Sequence, residues 1–210
     1  MTATRGAERA LDGRRRKYEA EVERLVGAAF AVMRAKGTAS PTVADILAEA
    51  GLSTATFYRH FPTKDDLLVT LLERAHERTR AHLEALLAAE ARPADRVTAW
   101  VRGLFDLLGT DARVAANRPF LLAHPRLLER FPDEIGAGID GLVALLADAV
   151  AAARLEAGLP PGDAAGDARL AYHQVFGMLV DRAALHRRSE AATVAAVADY
   201  TLRAVLTDRR

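Results

Sequence analysis

The chain contains no cysteine. Disulfides, thiol-based sensing and thiolate metal sites are therefore excluded. Aromatic residues make up only 6% of the 210 residues, and Trp100 is the single tryptophan. No run of about 18 apolar residues stands out, and residues 1–21 are charged throughout, so neither a membrane span nor a secretory leader is expected. This predicts a cytoplasmic protein without a membrane partner. Neither sign of charge predominates, since 29 Lys/Arg face 28 Asp/Glu for a formal net charge of +1. The six histidines, His60, His76, His82, His124, His173 and His186, show no HExxH or similar ligand spacing, so no metal site is predicted. A nucleophile elbow, a glycine-rich phosphate loop and a tied pair of carboxylates are missing, which leaves no catalytic residues and no cofactor. No strand-period pattern and no repeat is visible. What remains is an all-α chain.

Within it, Thr42–Lys64 (TVADILAEAGLSTATFYRHFPTK) carries the most information. Thr42 can cap a short helix with Asp45 at its third position, and Val43, Ile46, Leu47 and Ala50 share one apolar face. Gly51 falls where a helix ends in a left-handed residue. Ser53 then caps a second helix, Thr54–His60, which Pro62 closes. Two short helices about a Gly-Leu-Ser turn make a helix-turn-helix. Its second helix would expose Thr54, Thr56, Tyr58, Arg59 and His60 and turn Phe57 and Phe61 inward. Lys64, in the first turn of the next helix, is unfavourable to the helix dipole, and an external phosphate explains it.

The run Gly51-Leu52-Ser53-Thr54-Ala55-Thr56-Phe57-Tyr58-Arg59-His60-Phe61-Pro62-Thr63-Lys64, continued by Asp65-Asp66-Leu67-Leu68, closely resembles the DNA-binding domain of the TetR family of transcriptional repressors. The resemblance covers roughly residues 18–72, and beyond it only helical character and length agree with the family. It implies that Thr54, Ala55 and Thr56 face base edges, and that Thr42, Tyr58, His60 and Lys64 meet phosphates beside the capping Ser53. Arg59 occupies a position that varies in the family, and it would read a guanine or meet a phosphate. The partner implied is a double-stranded palindromic operator. Charge supports this: residues 1–64 hold 11 Lys/Arg against 7 Asp/Glu, and residues 65–210 hold 18 against 21.

Three divisions are expected. Residues 1–17 read as a flexible basic arm ending in Arg14-Arg15-Arg16-Lys17. Residues 18–63 hold the helix-turn-helix domain, opened by a helix at about 18–36 with Val22, Leu25, Val26, Ala29, Phe30 and Met33 on one face. Residues 64–210 form a C-terminal helical domain, for about nine helices in all. It begins with a long helix at about 64–90, followed by one at about 94–109. Pro119, Pro125 and Pro132 are expected to cut 110–132 into short pieces. Helices at about 133–157, 164–187 and 190–207 follow, the first two separated by the loop Gly158-Leu159-Pro160-Pro161-Gly162.

Trp100, Phe105, Phe120 and Phe176 are candidate walls of a pocket for a small apolar or amphipathic effector, with Asn117 and His173 as polar groups. Their plainer reading is helix core. His173, Gln174 and Asp181 are expected inside the bundle. The apolar faces Ala171, Val175, Met178, Leu179, Ala183, Leu185 and Val194, Val197, Ala198, Thr201, Leu202, Val205 pack either within the chain or, as the resemblance implies, as a homodimer through about 164–207. Two other classes stay open. An interaction module would show an acidic or apolar face on the second helix, and an all-α enzyme would need clustered acid/base groups.

Overall fold

In the computed structural model, residues 5–38, 40–108, 110–185 and 191–207 are described. Among them are nine helices and no strand: α1 (Arg5–Lys36), α2 (Val43–Ala50), α3 (Thr54–His60), α4 (Lys64–Ala88), α5 (Pro93–Asp106), α6 (Asp111–Arg130), α7 (Pro132–Glu156), α8 (Ala164–Leu185) and α9 (Ala191–Val205). The chain divides into two compact units, Met1–Leu71 and Leu72–Arg210, with the boundary inside α4.

The first unit is built on α1. Leu25, Ala29 and Met33 are buried along one stripe of α1, which packs on α2 and α3, where Ile46, Ala50 and Phe57 are buried, as is Phe61 just after α3. The helix does not begin at residue 18 after an arm, as the sequence suggested; it starts at Arg5. Residues 11–17 are exposed, so local preference sustains this part, not packing. Ala, Leu, Arg, Lys and Glu dominate the stretch, no proline interrupts it, and Arg15 pairs with Glu19 one turn on at 2.8 Å.

In the second unit α5 packs on α7 and α9, while α8 packs on α6 and α7. The predicted break at 110–132 does not occur, because α6 runs unbroken through Pro119 and Pro125. Each internal proline costs roughly 3 kcal/mol or more. Tertiary contacts offset this: Val114 is buried, Phe120, Leu121, Leu127 and Leu128 lie against the core, and Arg118 Nε donates to the Ala183 carbonyl at 2.9 Å. Pro132 instead opens α7, where no donor is needed. The Gly158–Gly162 loop is present, and both glycines take left-handed φ values of 66° and 62°.

Against the expectation of no membrane-length apolar stretch, α7 is long and apolar enough to cross a membrane by length and composition. Here it is a core helix whose Ile135, Ile139, Leu142, Val143, Leu146 and Val150 are buried. Most of the apolar residues expected on α8 and α9 are likewise buried within the chain (Ala171, Val175, Leu179, Ala183, Val197, Ala198, Thr201 and Val205), whereas Met178, Val194 and Leu202 are half-buried and Leu185 is exposed. The outer faces are different residues, with Leu170 at 62% and Tyr200 at 57% exposure. His173, Gln174 and Asp181, expected inside, are all exposed on α8. Val175 and Leu179 take the inward positions of that helix, and a side chain two places away points elsewhere.

Candidate nucleic-acid interface

The turn between α2 and α3 is held by backbone chemistry legible in its residues. Thr42 accepts from the Asp45 amide at 3.1 Å, and its hydroxyl donates to the Asp45 carboxylate at 2.7 Å, closing the start of α2. Gly51 ends α2 at φ 60° and ψ 39°, a conformation costly for any residue with a Cβ. Ser53 then caps α3 by accepting from the Thr56 amide at 3.1 Å, and its hydroxyl bonds the Thr56 hydroxyl at 3.0 Å. Behind the turn Arg24 of α1 donates to the Ala50 carbonyl at 2.6 Å, which satisfies a helix-end acceptor.

Phe57 and Phe61 are buried and anchor α3, with their ring centroids 6.0 Å apart. On the outer side Thr42, Ser53, Thr54, Ala55 and Tyr58 are exposed, and Thr56 is half-buried. Lys64 Nζ donates to Ser40 Oγ at 2.9 Å.

His60 departs from its expected place among the exposed phosphate-facing groups. Its side chain is fully buried; Nε2 donates to the Glu21 carboxylate at 2.7 Å, and Tyr18 stacks edge-on at 4.3 Å. The reason is helical phase. Three residues after Phe57, His60 shares the inward side of α3, and Glu21 of α1 supplies the polar partner that an imidazole there requires. Its Nδ1 is buried without a hydrogen-bond partner. The same Glu21 oxygen accepts from Arg59 at 2.5 Å, while the Arg59 side chain remains more than half exposed. Hydrogen bonding from His60, then from Arg59, holds the Glu21 carboxyl below its ordinary value. Sequence reasoning missed Glu21 and Arg24. For Glu21 a signal was present: Tyr18 and Glu21 extend backwards, at three- and four-residue steps, the stripe that runs on through Leu25, Ala29 and Met33, whereas Arg24 lies off it.

The residues proposed for a small-molecule pocket do not converge. Trp100 is fully buried, and its indole Nε1 donates to the Leu142 carbonyl at 3.0 Å. Asn117 Nδ2 bonds the Arg113 carbonyl one turn back at 2.9 Å. Phe120 is half-buried against the core. Phe176 stacks on Tyr172 with centroids 5.6 Å apart and touches His124 at 4.5 Å. Phe105 lines a cleft of about 430 Å³ between α5, α8 and α9. His173 lines another of about 610 Å³ beside Arg154 and Leu170. Burial pushes the His124 imidazole down to about 4, helped by the nearby His76 and His173.

The profile of the bacterial regulatory proteins, tetR family, matches residues 25–71. The HTH-type transcriptional regulator CymR of Pseudomonas putida is 40% identical over 78 residues, covering 35% of this chain and 36% of CymR. The HTH-type transcriptional regulator BetI of Rhizobium meliloti (strain 1021) is 33% identical over 81 residues, 39% of this chain and 40% of BetI. The chain thus matches well under half the length of these curated relatives. The fold extends further: the transcriptional regulator FadR of Bacillus subtilis, solved in complex with stearoyl-CoA, superposes with a TM-score of 0.64 at 18% identity, over 88% of this chain and 97% of FadR.

Proposed function

From the premise that residues 25–71 are a DNA-binding domain of the tetR family, we propose that this chain is a sequence-specific repressor. It binds a palindromic operator as a homodimer and is released by a small apolar or amphipathic effector. The observation that carries this reading is α3 itself: a helix capped at Ser53, anchored by two buried phenylalanines, and presenting Thr54, Ala55, Tyr58 and Arg59 outward. Such a helix fits the major groove. Thr54, Ala55 and the half-buried Thr56 face base edges, while Thr42, Tyr58 and Lys64 meet phosphates. His60 acts from behind, through Glu21, to set the position of Arg59.

An effector in the C-terminal unit acts through α4, which both units share. Two half-sites must match a spacing of about 34–36 Å, so a small change in separation loses contacts in both halves. A coupling of about 1–3 kcal/mol suffices for a 5–150-fold change in operator affinity.

The test is selection of duplexes from a randomised library by gel shift. Palindromes should be enriched, with binding that falls steeply with salt. Tyr58→Phe and Lys64→Ala should weaken every sequence alike, and Arg59→Ala should change the preference among sequences by about 1–3 kcal/mol at one position. A library that yields no palindrome at low salt overturns the repressor reading.

A further inference from the structure

Arg182 lies on the inward stripe of α8 that runs Ala168, Ala171, Tyr172, Val175, Leu179, Arg182, Ala183. It is 6% exposed, its Nε meets no hydrogen-bond partner, and no carboxylate among the described residues pairs with it. A guanidinium stays charged at any physiological pH, and a buried charge without a counter-ion is strongly unfavourable. The neighbouring carbonyl of Ala183 accepts from Arg118, not from Arg182. Arg182 lines the cleft of about 430 Å³ between α5, α8 and α9. Arg102 stands in the same cleft, exposed, and Phe105, Val194 and Ala195 supply apolar wall. Asp106 is the one carboxylate among the lining residues; it is exposed, so water screens its repulsion.

We propose that this cleft is an anion subsite, in which Arg182 and Arg102 hold the carboxylate or phosphate head of a small amphipathic ligand whose apolar part lies against Phe105 and Val194. A planar guanidinium matches either head in bidentate fashion. The proposal rests on the reading that the C-terminal unit takes a small molecule, and it assigns that molecule a negative charge.

Calorimetry on the full chain with octanoate, octyl phosphate and octanol tests it without DNA. At least one anion should bind about tenfold or more tighter than octanol, and the tighter of the two identifies the head group. Arg182→Met should weaken that anion about tenfold or more and raise the melting temperature of the unliganded protein, because an unpaired buried charge is gone. Should Arg182→Met fail to fold, the exposed Arg102→Gln should still weaken the anion several-fold with an unchanged circular dichroism spectrum. Equal binding of octanol, no binding at all, or an Arg182→Met protein that is less stable with unaltered anion affinity overturns the subsite. So does a light-scattering result in which Arg182→Met converts a dimer to monomers, since the counter-ion then comes from a second copy. An anion that binds but leaves DNA affinity untouched removes the effector reading and leaves the subsite standing.

Discussion

Glu21 sits behind the candidate interface as the shared partner of two α3 side chains. Its single oxygen holds both His60 and Arg59, so the charge of Arg59 is partly neutralised before DNA arrives. Glu21→Gln keeps an acceptor for His60 and frees the guanidinium. Operator affinity should rise, most for operators that carry the base pair Arg59 reads. Fluorescence anisotropy on the selected operator and its single-position variants reads this; an equal rise on every sequence would mean that Arg59 meets a phosphate instead. Because the folded carboxyl titrates below its ordinary value, this contribution to stability is present above about pH 4.5 and is lost as pH falls through the lowered value. His124 acts in a different window. Folded, it stays neutral down to about 4, whereas the unfolded imidazole takes up a proton near 6.5. Stability should therefore fall as pH drops between those two values and be indifferent to this group above them. Urea midpoints measured from pH 7 to 4 should show that fall, and His124→Phe should flatten part of it.

At the level of helices, two features set the geometry. The first is the cap on α3. Ser53→Ala removes the acceptor for the Thr56 amide and should cost about 1 kcal/mol in urea unfolding, with weaker DNA binding because the turn loosens. The second is the seat that Gly103 of α5 gives to the Leu83 and Leu86 side chains of α4 within the C-terminal unit. A Cβ built on Gly103 would lie 2.7 Å from Leu86 Cδ1 and 2.8 Å from Leu83 Cδ2, nearer than packed atoms stand. Gly103→Ala should therefore destabilise by about 1–3 kcal/mol, although alanine is the better helix former. A variant as stable as the parent would show that Leu83 and Leu86 can turn aside.

For the molecule as a whole, the assembly prediction moves to a different surface from the one the apolar pattern suggested. Val197 is 8% exposed within the chain, so Val197→Glu should unfold the C-terminal unit and lose helical signal. The face left outside on α8 and α9 includes Leu170, Gly177, Ala192, Ala196 and Tyr200. Small residues there let a second copy approach closely. Ala196→Glu should give folded monomers that no longer bind the operator, by light scattering and gel shift together. A dimer that survives this change places the interface elsewhere.

The sequence alone determined the helix-turn-helix and its punctuation. Thr42, Gly51 and Ser53 act through bonds to neighbours three or four residues away, and such local chemistry is written in the order of residues. The all-α class and seven of the helix spans follow from periodicity for the same reason, whereas the start of α1 does not. Tertiary structure decided the rest. Whether Pro119 and Pro125 break α6 depended on what α8 and the core offer in return, which no local rule contains. That His60 turns inward depended on Glu21, 39 residues earlier on another helix. The apolar residues of α8 and α9 were legible as buried, but their partner was not, because a hydrophobic face is non-directional and takes whichever surface excludes water. Arg182 sits in that same stripe as a charge among apolar neighbours. Its position was readable from spacing, whereas the lack of a carboxylate partner among the described residues depends on the fold.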